Sequence, residues 1–173
     1  MAKLTKIYTR TGDDGKYTFE KLAKDAHAFQ ATPSDTKAIA LADVIISNGM
    51  GFDDFLIPIL ESGGSGDAVK IVVTSDLEFG GIPHDESNHE GENPHLWLNP
   101  VFAAGYVVRI RDGLIQADPD HSATYMSNAN GYLEQLRALD QEIAQTLQQV
   151  PPQRRNLVSY HDAFSHFGER YGW

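Results

Sequence analysis

The stretch DPDHSATYMSNANGYLEQLRALDQEIAQTLQQV, residues 118–150, decides the architecture, because its apolar side chains recur at helical spacing along its whole length. Tyr125, Ala129, Tyr132, Leu136, Leu139, Ile143 and Leu147 fit the three-and-four pattern of an amphipathic helix. At ~1.5 Å per residue, about thirty residues make a rod of roughly 45 Å, longer than a small domain is wide. Such a rod often connects two bodies. Pro151-Pro152 stops it.

Upstream of the rod the pattern is that of an α/β unit. In ATPSDTKAIALADVIISNG, Ser34 or Asp35 is placed to cap a short helix through Leu41, and DVIIS is an apolar, β-branched run ended by Asn48-Gly49. VKIVVT, residues 69–74, is a second such run. Continuous apolar strands separated by a helical segment, Phe52 to Leu60, and the turn SGGSG predict a βαβ unit with a parallel sheet. NPVFAAGYVVRIRDGLIQA reads as a helix with Val101, Tyr106, Val107, Ile110 and Leu114 on its apolar side and Pro100 in the first turn. After the rod, NLVSY reads as one more strand and HDAFSHFGERYGW as the start of a helix.

Composition narrows the function. With 41% apolar and 22% charged residues, the 173-residue chain is globular in character. A formal charge of -10 disfavours nucleic acid, which needs clustered Lys and Arg, and favours a cation. The charge is uneven: residues 1–24 carry +3 and residues 25–173 carry -13. No run reaches the ~18 apolar residues of a membrane span, and MAKLTKIYTR lacks the apolar core of a secretory signal, so the chain as written reads as cytoplasmic. There is no cysteine, which leaves His, Asp and Glu as the strong metal ligands.

Histidines stand at 27, 84, 89, 95, 121, 161 and 166. His27, His95 and His161 each fall at the edge of an expected element, where binding residues gather on a parallel α/β fold. Three imidazoles suit Zn²⁺ and leave a fourth position for a carboxylate or water. Spacing alone leaves open whether they converge.

Three segments carry a resemblance: DAHAFQATPSDTKAIALADVIISNGMGFDDFL, then NPHLWLNPVFAAGYVVRIRDGLIQADPDHSATYMSNANGYLEQLRALDQEI, then PPQRRNLVSYHDAFSHFGERYGW. In this order residues 25–173 resemble the zinc/manganese solute-binding proteins of ABC transporters. The resemblance implies metal ligation by His27, His95 and His161, Zn²⁺ as cargo with Mn²⁺ as the second choice, and a membrane permease as partner. It implies a periplasmic or extracytoplasmic setting and binding without catalysis. It also implies two α/β lobes joined by a rigid helix. The fold class expected here is thus a parallel-sheet lobe with flanking helices, and a long connecting helix leading into an incomplete second lobe. The divisions are a basic segment 1–24, a metal-binding lobe 25–118, the helix 119–150 and the start of the second lobe at 151–173. HDESNHEGE, with His84 and His89, occupies the place of an ion-collecting loop and otherwise reads as a mobile acidic surface segment. Asn93 and Asn99 stand where the family usually has Asp, a change expected to weaken hydrogen bonding to the ligand histidines. The family's carboxylate ligand from the second lobe is expected to be missing.

Residues 3–15, KLTKIYTRTGDDG, resemble instead the start of cobalamin adenosyltransferases, in which such a segment helps bind ATP phosphates. The match ends at Lys16, so this piece is expected to pack as an edge strand or remain disordered. Two other readings of the whole chain stay open. One is an inactive partial or hybrid chain that self-associates through the exposed lobe surface. The other is a metal-dependent hydrolase with Asp162 or Glu92 as general base.

Overall fold

The computed structural model describes residues 6–10, 17–21, 32–61, 66–75, 77 and 93–173, the first two segments as backbone only. Four strands form one sheet in the order β2-β1-β3-β4. The apolar runs of the sequence are β3, Val44–Ser47, and β4, Val69–Val72, and they pair in parallel. The amino-terminal segment adds an antiparallel hairpin of β1, Lys6–Arg10, and β2, Tyr17–Lys21. β1 pairs with β3 on its other side, with Ile7 opposite Ile45. The expectation of an edge strand for the basic start therefore describes β2, while β1 is interior to the sheet. His27, His84, His89 and Glu92 lie outside the described residues.

β3 is buried on both faces, as its unbroken apolar run requires. Ile45 faces a cluster with Ile39, Ala42 and Leu56. Its neighbours Val44 and Ile46 point the opposite way, onto Ile71 and Val73. The first face is covered by α1, Pro33–Ala40, and by a tight turn at Asp54–Leu56 running into the short helix α2, Ile57–Ile59. The cap of α1 is Thr32, not Ser34 or Asp35. Asp35 N–H donates to Thr32 Oγ1 at 3.4 Å while Thr32 N–H donates to Asp35 Oδ2 at 2.8 Å. Asp35 thus serves as the third helical residue of a capping box, and Pro33 takes the first helical position, where a missing N–H costs nothing.

The second face of the sheet is covered by α3, Pro100–Ala117, through Tyr106, Ile110, Leu114 and Ala117. Val101, expected on that side, is 49% exposed. Asn99 caps α3, its Oδ1 accepting from Val101 N–H at 3.0 Å. α3 approaches the sheet closely at Gly113, where a Cβ would stand 2.1 Å from Ile71 Cδ1 and 2.4 Å from Ile71 Cγ1.

A tight turn at Pro119–His121 reverses the chain into α4, Ser122–Gln148, which packs along α3. Buried Asp118 anchors the turn, accepting from Tyr125 Oη at 2.8 Å and lying 2.8 Å from His121 Nδ1. The long helix is present as expected, but its buried stripe is Tyr125, Ala129, Leu133 and Leu136. Tyr132 and Leu139 are exposed, at 53% and 44%. Residues 132 and 133 are both apolar and both fit helical spacing, so contact with α3 selects between them.

The last element is α5, Ser165–Tyr171. Asp140 of α4 holds it with Arg170 Nε at 3.0 Å, Arg170 Nη2 at 2.6 Å and Tyr171 Oη at 2.9 Å. NLVSY is not a strand. A strand needs a lateral partner for its N–H and C=O groups; among the described residues none pairs with it, and Val158 and Tyr160 are 93% and 110% exposed.

Gly113→Ala forces Ile71 or α3 to shift and is expected to cost about 1–3 kcal/mol in urea unfolding. The ion pair on α5 makes a pH-dependent contribution. The Arg170 guanidinium, as the larger influence, and Tyr171 Oη hold the Asp140 carboxyl below the ordinary carboxylate range. A depressed folded-state pKa contributes stability that is present above the unfolded value and is lost as pH falls through the folded one. Asp140→Asn is therefore expected to be less stable than wild type at neutral pH. The gap should narrow in acid unfolding series as pH drops below the ordinary carboxylate range.

Candidate metal centre

Two of the three histidines singled out in the sequence meet. His95 lies just before the tight turn Leu96–Leu98 that leads into α3, and His161 lies four residues before α5. Their Nε2 atoms are 2.9 Å apart across a sequence separation of 66. The rings stand nearly perpendicular, with centroids at 4.7 Å. Imidazole nitrogens bound at ~2.0–2.1 Å to one tetrahedral zinc ion stand roughly 3.3 Å apart, so the rings need only a slight separation to share a cation. Among the described residues no group of three His, Asp or Glu side chains with metal-holding geometry is present. His27, the third member of the set, is outside them.

The tautomer of His95 is set by Asn93. Asn93 Oδ1 lies 2.5 Å from His95 Nδ1 and accepts the His95 backbone N–H at 3.1 Å. The amide orientation is fixed by its other end, where Nδ2 faces the Asp162 carbonyl, a group that can only accept. Nδ1 of His95 therefore carries a hydrogen, and in the neutral ring this leaves the lone pair on Nε2, toward His161. His95 is buried, at 6% exposed, beside Phe52 and Trp97 with ring centroids at 6.0 and 5.1 Å. His161 is exposed. The pair thus has an apolar floor and a side open to water.

The loop after β3 supports that floor. Asn48 Nδ2 donates to the Pro94 carbonyl at 3.2 Å and its Oδ1 accepts from Tyr106 Oη at 2.9 Å, joining loop, His95 segment and α3. Gly49 adopts φ 84°, and a Cβ there would lie 2.5 Å from Thr74 Oγ1. Met50 shares the left-handed conformation at φ 54°. Asp53, 4% exposed, holds this turn by accepting the backbone N–H groups of Asn48 and Gly49, the latter at 2.9 Å. Burial, the largest influence, pushes the Asp53 carboxyl up, against the lowering effect of those two N–H groups. Burial also raises the Tyr106 phenol, with the Asp53 charge adding to it.

The remaining sequence candidates separate. Asn99 makes no hydrogen bond to a histidine ring among the described residues; it caps α3 and donates to the His166 carbonyl at 3.5 Å. His166 Nε2 donates to the Asn93 carbonyl at 2.8 Å and is occupied structurally. Asn93, which stands where the family usually has Asp, makes its bond to His95 through the amide oxygen. Sequence reasoning missed Asn48, Asp53 and Tyr106 as supports of the site. Their signal was present in Asn48-Gly49, Gly51 and Asp53, a turn-forming cluster directly after a buried strand.

The fold is that of periplasmic metal-binding proteins. The periplasmic zinc-binding protein TroA from Treponema pallidum superposes with a TM-score of 0.76, at 26% identity over 86% of this chain and 53% of that one. The sequence profile described as zinc-uptake complex component A, periplasmic, matches residues 20–173, and the chain belongs to that family. The manganese-binding lipoprotein MntA of Halalkalibacterium halodurans is 34% identical over 152 residues, covering 88% of this chain and 49% of its own length. The iron-binding protein YfeA of Yersinia pestis is 34% identical over 154 residues, 88% of this chain and 48% of its own. The chain spans about half the length of the curated relatives it matches.

Asp53→Ala leaves the buried N–H of Asn48 and the part-buried N–H of Gly49 without this acceptor, and a buried group so left costs about 1–3 kcal/mol. The variant is expected to lose stability in that range or above it, measured as a fall in the urea unfolding midpoint with an unchanged slope.

Proposed function

We propose that the chain binds a divalent transition-metal cation between His95 and His161, with His27 as third ligand, as the solute-binding component of a metal-uptake ABC transporter. One observation carries this reading: two imidazole Nε2 atoms lie 2.9 Å apart, and the outer nitrogen of the buried one is tied to an amide oxygen. An arrangement in which the second nitrogen of a histidine is fixed by a neighbour is the usual support of a metal-ligating imidazole. Imidazole donors suit zinc, so Zn²⁺ is the proposed cargo and Mn²⁺ the alternative. The relatives are named for manganese and iron, and the structural neighbour for zinc.

The cation would be delivered to a membrane permease from an extracytoplasmic position, in line with the family's periplasmic description. The net charge of -10 attracts a cation over distance, and His84 and His89 are proposed to collect ions near the site. The role is binding and release, without turnover.

Calorimetric titration with Zn²⁺ tests this. One site is expected in wild type. Losing a partner that only supports a ligand costs 10–100-fold in affinity, so His95→Ala and His161→Ala should each lower affinity by more than about a hundredfold. His27→Ala should also weaken binding. Unchanged zinc affinity in both His95→Ala and His161→Ala would sink the reading, and zinc-dependent esterase or phosphatase turnover would replace it with the hydrolase.

A further inference from the structure

Segment 93–99 and the start of α5 are stitched together by side chains that donate hydrogen bonds in a fixed direction. Asn93 Nδ2 donates to the Asp162 carbonyl at 3.1 Å and to Ser165 Oγ at 2.8 Å. Asn99 Nδ2 donates to the His166 carbonyl at 3.5 Å, and His166 Nε2 returns a hydrogen bond to the Asn93 carbonyl at 2.8 Å. A carbonyl oxygen only accepts, so the groups facing Asp162 and His166 have to carry hydrogens. An amide does so; an ionised carboxylate does not.

The other end of the Asn93 side chain accepts both the backbone N–H and Nδ1–H of His95. All four hydrogen-bonding positions of this amide are therefore in use. It touches His95 directly, and it touches the segment bearing His161 through the carbonyl of the very next residue. We infer that Asn93 is a positioning residue: its nitrogen latches residues 161–165 to His95 and keeps the two imidazoles in register before a cation arrives. This rests on the metal-binding reading of the pair.

The variant Asn93→Asp separates the two ends, because it keeps an oxygen for His95 and removes both donors. In metal-free protein the ¹⁵N-histidine spectrum should still show the Nδ1–H form of His95. Amide hydrogen exchange should meanwhile accelerate at Ala163 and Gly168, whose N–H groups bond the His161 and Phe164 carbonyls. An acceleration of about tenfold or more is expected, together with a zinc affinity lower by roughly 10–100-fold. Ser165→Ala, which removes one acceptor and leaves the amide and its bond to the Asp162 carbonyl in place, should give a smaller acceleration than Asn93→Asp. Unchanged exchange at Ala163 and Gly168 in Asn93→Asp would overturn the latch. Failure of wild type to bind zinc would instead remove the metal reading and leave the exchange result to decide the latch alone.

Discussion

Helix α3 is the member against which the other elements are placed, and it can lie where it does because Gly113 has no side chain. Ile71 fills the space that a Cβ would need. With that approach made, Tyr106, Ile110 and Leu114 close the second face of the sheet. The helix start then lies directly after the turn carrying His95, and Tyr106 Oη reaches Asn48 in the loop beneath it. At the other end Asp118 hands the chain to α4.

The lengths of the two helices explain how residues so far apart in sequence meet. α3 has 18 residues and α4 has 27. At ~1.5 Å per residue the return is longer than the outward run by roughly 13 Å, so α4 passes the level of the His95 turn before it ends. Asp140 lies about eighteen residues into the return, which is where Arg170 and Tyr171 find it. α5 is consequently held on two sides, by a carboxylate of α4 and by the amides of Asn93 and Asn99. His161 comes directly before these anchored residues, next to the Asp162 carbonyl that Asn93 holds.

Much of this was legible from the residues. The runs DVIIS and VKIVVT read as strands because β-branched residues without polar interruption fit a surface buried on both faces, and Asn99-Pro100 marked a helix start. The residues mislead where a choice depends on a partner elsewhere. Leu133 instead of Tyr132 is buried because α3 lies on that side. NLVSY has strand composition yet no lateral neighbour among the described residues. For the site, the motifs around His95 and His161 identified the pair that meets. The bond from Asn93 to His95 was implied by the resemblance, but its reach to the Asp162 carbonyl was not legible, since a sequence does not say which carbonyl an amide will face. The cap at Thr32 is written in the chain itself: Thr-Pro-Ser-Asp has its cap, its first-turn proline and its reciprocal acceptor in order.

α4 runs unbroken from Ser122 to Gln148, and each residue added to a helix rotates the remainder by about 100°. A single insertion between Leu136 and Asp140 would swing the carboxylate away from Arg170 while leaving Leu133 and Leu136 against α3. About seven residues, close to two turns, would restore the face, but would carry the anchor roughly 10 Å along the rod. The spacing between the two halves of the candidate site is therefore a discrete quantity. This helix can vary in composition on its outer face far more readily than in length.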